Sequence, residues 1–140
     1  MSAIESCVLK LEHLVFDEVS FLREGFRNEN NLEVEFGFDF EMRENGLFVT
    51  HIQVKGVKQD EYTFVVRASG FFYLEENVDG RDVIIHQNTV AIVFPYIRSQ
   101  ISMLTAQPEV EPIILPPFNI AQMVEDAMSV EKKVSKEEKS

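Results

Sequence analysis

The residues of this 140-residue chain that could do chemistry are three histidines, one cysteine and a row of alternating carboxylates. His13, His51 and His86 stand alone. None has another His or Cys three or four residues away, the spacing that closes two ligands on one metal ion. Each reads as a surface or strand-end histidine. Cys7 is single, which excludes an intrachain disulfide and gives no zinc spacing. Glu33, Glu35, Asp39 and Glu41 could supply paired carboxylates for general acid–base work. At a spacing of two, however, they fall on one side of a strand, where a solvated acidic face is the simpler reading. No G-x-x-x-x-G-K-S/T, G-x-G-x-x-G or G-x-S-x-G pattern occurs, so neither a phosphate cradle nor a nucleophile elbow is present. The sequence therefore assigns no catalytic residue, no metal and no cofactor, and predicts a protein that is not an enzyme.

What remains to carry function is apolar surface and charge. The net charge of −11 argues against nucleic acid, whose phosphates need a basic footprint. It suits solubility or a basic partner. Twelve Phe and no Trp are notable, because Phe has no polar handle and must be buried in the fold, an interface or a ligand contact. The first residues, Met-Ser-Ala-Ile-Glu-Ser, lack the basic and apolar regions of a signal peptide, and no apolar run approaches a membrane span. Both point to a cytoplasmic protein without direct membrane insertion. The expected organisation is one domain over residues 1–128 and a disordered charged tail over 129–140.

The elements that must position these residues read in order. Residues 7–22 alternate as a long strand whose phase blurs near Val15–Phe16, where a bulge is expected. Residues 32–43 alternate most clearly: Leu32, Val34, Phe36, Phe38, Phe40 and Met42 on one face, acids on the other. Asn45-Gly46 is a hairpin signal. Strands follow at 47–57 and 62–74, joined by the polar turn Lys58-Gln59-Asp60-Glu61. A helix is predicted from about Gln87–Thr89. Val90, Val93, Phe94, Ile97, Ile101 and Leu104 form one stripe, and Ala91, Ile92, Tyr96 and Met103 leave the other side apolar too. A helix apolar on most sides is buried on most sides, and its second face has only another subunit to bury against. Pro95 should kink it. Pro112 to Pro117 then hold Ile113, Ile114 and Leu115 in an extended apolar loop. Such a segment packs under something or walls a hydrophobic groove. Phe118, Ile120, Met123, Val124, Ala127 and Met128 make a short amphipathic second helix. Strands followed by helices define an α+β fold: a four-stranded antiparallel sheet followed by two helices packed on one face.

The helix Phe94-Pro95-Tyr96 with Arg98, followed by Pro112-x-x-x-Pro116-Pro117-Phe118-Asn119, resembles the SecB family of protein-export chaperones, over about residues 88–126. The resemblance implies the same α+β fold, a homotetramer built as a dimer of dimers, and an ATP-independent holdase. Such a holdase takes unfolded preproteins in hydrophobic grooves and delivers them to the SecA motor. By that resemblance, client binding falls on the loop Ile113, Ile114 and Leu115 and the last helix, Phe118, Ile120, Met123 and Val124. The strand aromatics Phe36, Phe38 and Phe40 stand nearby. The family's acidic docking patch for SecA maps onto Glu18, with Glu24, Asp60 and Glu61 around it; a second family acid falls on Leu22 here. The oligomer interface is expected from Val90, Phe94, Tyr96, Ile97 and Ile101. Two alternatives stand beside export. SecB-like proteins also serve as chaperones dedicated to an antitoxin of a toxin–antitoxin system, and a non-catalytic oligomeric adaptor would carry the same apolar surface.

Overall fold

The computed structural model of the chain describes residues 9–116 and 119–126. Four strands, β1 (Lys10–Arg23), β2 (Leu32–Met42), β3 (Leu47–Lys58) and β4 (Tyr62–Tyr73), form one antiparallel sheet in the order β1-β4-β3-β2. Two hairpins build the β2-β3-β4 meander, and β1 lies beside β4, a Greek key. Asn45 and Gly46 hold φ of 60° and 78°, which gives the first hairpin the twist that matches its strands. Gly46 is required for a second reason: a Cβ there would lie 2.7 Å from the Leu74 carbonyl oxygen.

β1 shifts register twice, between Leu11 and His13 and between Phe16 and Glu18, not once near Val15–Phe16 as the blurred phase suggests. Each extra residue flips the alternation. The result puts Leu11, Leu14, Phe16, Val19 and Phe21 opposite Phe72, Gly70, Ala68, Val66 and Phe64, all on the inner face. Without the bulges, Leu14 and Phe16 would face outward with Lys10, Glu18 and Ser20.

The helical segment begins at Arg81, earlier than the predicted Gln87–Thr89. Arg81–Val83 and a single π-type turn, Ile84–Asn88, lead into α1 (Thr89–Thr105). The left-handed Gly80 (φ 71°) starts it without a side-chain cap, so the usual Ser, Thr or Asp signal is missing from the sequence. α1 runs through Pro95, which is exposed, and packs over β3 and β4. Thr50 of β3 and Thr89 of α1 share a buried hydrogen bond of 2.7 Å. The core lies between: Phe48, Ile52, Val54, Phe64, Val66 and Phe72 below, with Val90, Val93, Phe94, Ile97 and Ile101 above. Residues 120–126 form a second short helix, α2.

Val90, Phe94, Ile97 and Ile101 are at most 1% exposed within the single chain. As oligomer contacts they are corrected: they are the chain's own core, because one helical stripe must face the sheet first. The stripe left outside is Ile92, Tyr96 and Met103, exposed at 37%, 51% and 68%. Of the expected interface residues only Tyr96 lies on it.

Candidate functional site: an apolar groove at the β2 edge

Among the described residues β2 is an edge strand, paired with β3 alone. α1 covers the middle strands, so the inner face of β2 is left half-buried: Leu32, Val34, Phe36, Phe38 and Phe40 pack against the core without entering it fully. Phe36 meets Phe94 at 6.0 Å and Phe40 meets His86 edge-on at 4.6 Å. Their outward neighbours Glu33, Glu35, Asp39 and Glu41 are exposed, as a solvated acidic row should be.

The second wall is the loop after α1. Its backbone would be unsatisfied against apolar surface, and two α1 hydroxyls solve this. Thr105 Oγ1 accepts from the Ile113 N–H at 2.8 Å, and Ser102 Oγ donates to the Ile113 carbonyl at 3.0 Å. The pinned segment is extended, so its side chains alternate: Ile113 and Leu115 lean on the core, while Ile114 is 83% exposed. Of the three loop residues expected to meet a client, Ile114 alone is fully presented. Ile120 and Met123 of α2 are half-buried. Val124 is 2% exposed and is corrected to a core residue, since α2 buries one side. Phe118 lies outside the described residues.

The two walls meet near the start of β2 in an open pocket of about 270 Å³ lined by Asn30, Asn31, Leu32, Lys58, Tyr62, Glu111, Pro112 and Ile113. The crossover loop 24–31, which carries the chain from one sheet edge to the other, is held at this end by Glu61. The Glu24 and Gly25 amides donate to the Glu61 carbonyl, and the Asn28 amide donates to Glu61 Oε1 at 2.9 Å. Lys58 Nζ reaches Glu61 Oε1 at 2.8 Å and the Asn28 carbonyl at 2.9 Å. Arg23 donates to the Pro108 carbonyl, and Arg27 pairs with Glu111 at 3.7 Å, so the crossover loop is tied to the apolar loop as well. Burial pushes the Glu61 carboxyl up, but the Lys58 ammonium, the Asn28 amide and Arg23 outweigh it, and the net value lies below the ordinary one. The carboxylate is sealed from water, so desolvation is the largest single influence on it, and only the three partners together outweigh it.

That clamp corrects the docking assignment of Glu61: a residue 0% exposed and paired with Lys58 presents no charge to a partner. Asp60 is exposed in the turn at φ 63°. Glu24 is exposed and accepts from Thr63. Glu18 lies on the outer face. A hydrogen bond from Ser20, then one from Arg67 at 3.1 Å, hold its carboxyl below the usual value, so Arg67 neutralises part of the charge it could offer. Across the same face Asp17, Ser69 and His51 form a hydrogen-bonded chain, with Ser69 Oγ 2.7 Å from His51 Nδ1. Among the described residues no group of His, Cys, Asp and Glu could hold a metal ion, and no helix is long and apolar enough to cross a membrane.

Sequence reasoning missed three features of the site. Tyr62 and Lys58 line the pocket. Phe26, 85% exposed, stands at the same end in the crossover loop. Its signal was present: a lone phenylalanine in the polar stretch Arg23 to Asn31.

Comparison with known proteins follows the geometry. No family model matches the sequence. The uncharacterized protein MJ0357 of Methanocaldococcus jannaschii is 31% identical over 135 residues, covering 89% of this chain and 87% of its own length. The Mycobacterium tuberculosis SecB-like chaperone Rv1957, solved in complex with a ChAD peptide from the Rv1956 HigA1 antitoxin, superposes with a TM-score of 0.67. The superposition covers 84% of this chain and 92% of that one at 13% identity, a likeness of fold.

Proposed function

The chain belongs to the same family as the M. jannaschii protein MJ0357 and has a SecB-like fold, and we propose that it is an ATP-independent chaperone that binds extended, apolar polypeptide segments in the β2 groove. The observation that carries this reading is the pinned loop. Thr105 and Ser102 hold its backbone so that Ile114 is offered to solvent at 83% exposure, next in the chain to Ile113, which lines the pocket at the start of β2. An apolar residue that is fixed in place and uncovered has a use. Non-directional contacts of this kind tolerate many side chains, and a long groove spreads the entropy cost of ordering a flexible client over many weak contacts.

Between the two chaperone roles, a dedicated protein client such as an antitoxin is better supported than export. The SecB-like neighbour is solved with an antitoxin peptide, whereas one of the expected SecA contacts here, Glu61, is buried and another, Glu18, is held by Arg67. The exposed stripe Ile92, Tyr96 and Met103 supports assembly into a homotetramer, which would multiply weak groove contacts. Ile114→Glu tests the groove. It should lower the affinity for a reduced, carboxymethylated polypeptide at least tenfold and leave the oligomer and its stability unchanged. Full binding by the variant, or its unfolding, would sink the reading.

A further inference from the structure

Tyr62 is 3% exposed, with its ring stacked on Phe21 at 5.0 Å and tilted against Phe64 at 6.3 Å. Its hydroxyl makes no hydrogen bond among the described residues, yet the residue lines the pocket where the two groove walls meet. The hydroxyl is not sealed from water, so an acceptor that enters the pocket can reach it. Burial, and then the negative charge of Glu61, push the phenol further toward its protonated, donating form. Lys58 lines the same pocket and spends two of its three N–H groups, on Glu61 Oε1 and the Asn28 carbonyl. The pocket floor thus offers donors in search of an acceptor.

The charges at the pocket cancel. Lys58 is matched by Glu61, and Glu111 is matched by Arg27. A carboxylate or phosphate would find no net positive charge and would meet Glu111 and the unpartnered Glu61 Oε2. What fits is a neutral acceptor. The side chain of Asn31, on the rim, adds an amide that can accept from an N–H. Facing donors on the floor and an acceptor on the rim are the complement of one peptide group. Pro112 and Ile113 supply the apolar wall beside it.

We propose that Tyr62 donates a hydrogen bond to a main-chain carbonyl of the bound polypeptide, making this pocket a point in the groove that recognises backbone in place of side chains. The proposal rests on the chaperone reading above and adds its polar anchor. A peptide carbonyl is the acceptor that every client carries, so the anchor keeps the groove tolerant of sequence while fixing the path of the chain toward the gap between β2 and the loop.

Tyr62→Phe in the full-length protein tests it, since the ring and its stack on Phe21 are kept and only the hydroxyl goes. Two probes are used: a reduced, carboxymethylated polypeptide, and a synthetic apolar peptide lacking Asn and Gln. Affinity for both should fall about three- to tenfold. The thermal midpoint of the unliganded protein should stay equal, because the hydroxyl has no hydrogen-bond partner among the described residues. Equal affinity of variant and wild type for both probes overturns the proposal. A loss confined to the probe containing Asn and Gln overturns it in favour of side-chain amide recognition. A lowered midpoint overturns it by giving the hydroxyl an internal partner. Failure of the wild type to bind either probe overturns the chaperone reading itself, and this anchor with it.

Discussion

Truncating Glu61 to alanine strikes the point where the crossover loop, the β3–β4 turn and the groove are tied together. Three of its bonds are main-chain and survive: the Glu24 and Gly25 amides donate to the Glu61 carbonyl, and the Glu61 amide donates to the Lys58 carbonyl. Two are lost. The Asn28 amide loses its acceptor, worth about 1 kcal/mol. Lys58, whose side chain is 10% exposed, keeps only the Asn28 carbonyl. Breaking a deeply buried pair costs about 3–5 kcal/mol. This one lies just under the surface, where the stranded ammonium can draw in water, so about 2 kcal/mol is the appropriate share. The total is about 3 kcal/mol, to be read from urea unfolding as a lowered midpoint at unchanged slope. A loss under about 0.5 kcal/mol would refute the clamp, since that is the size of an ordinary surface change. Replacing both partners, Lys58→Met with Glu61→Leu, should recover most of the loss, because no uncompensated charge is then left. The sign with pH follows from the depressed carboxyl. Its contribution is fully present above the ordinary value of 4.5 and is lost as pH falls through the lower folded value. The Glu61→Ala protein should therefore lack that acid limb of the stability profile.

Other outcomes follow from the surface. Tyr96→Asp places a charge in the exposed stripe between Ile92 and Met103, so the native mass should drop to a smaller assembly while the chain stays folded; unchanged mass would remove this stripe from the interface. Glu12, skipped in the pairing of β1 with β4, is the extra residue of the first bulge. Deleting it would leave Leu11 opposite Phe72 and His13 opposite Phe71 in unbroken alternation, so β1 should keep both faces and lose under about 1 kcal/mol by circular-dichroism melting. A loss of about 2 kcal/mol or more would show that the bulge itself, and not the register on either side of it, holds the strand on β4.

Much of the fold was legible because its signals are local. The alternation of Leu32 to Met42, the Asn45-Gly46 turn and the stripe Val90 to Ile101 each depend on neighbours within a few residues, and each became the element it predicts. The β1 bulges were only half legible. A phase slip is visible at Phe16, but the pairing that locates both bulges belongs to β4, far along the chain. The start of the helix was missed because Gly80 begins it through backbone conformation and not through a capping side chain. The interface residues were misassigned because a helix stripe does not say what it faces: the sheet claimed Val90, Phe94, Ile97 and Ile101. For the site, the apolar loop was legible from its prolines and isoleucines, but which of Ile113, Ile114 and Leu115 points out depends on two hydroxyls of α1. Glu61 looked like turn surface. Only the path of the crossover loop over it makes it a buried clamp.

The central claim is that the β2 groove takes up an unfolded chain without an energy source. Native mass spectrometry of the purified protein, alone and mixed with a reduced, carboxymethylated polypeptide in the absence of nucleotide, tests it directly. The account predicts a homotetramer that gains the mass of the bound polypeptide. A species that never takes up the unfolded chain would contradict it, and would mean that Ile114 and the β2 phenylalanines serve some purpose other than holding a client.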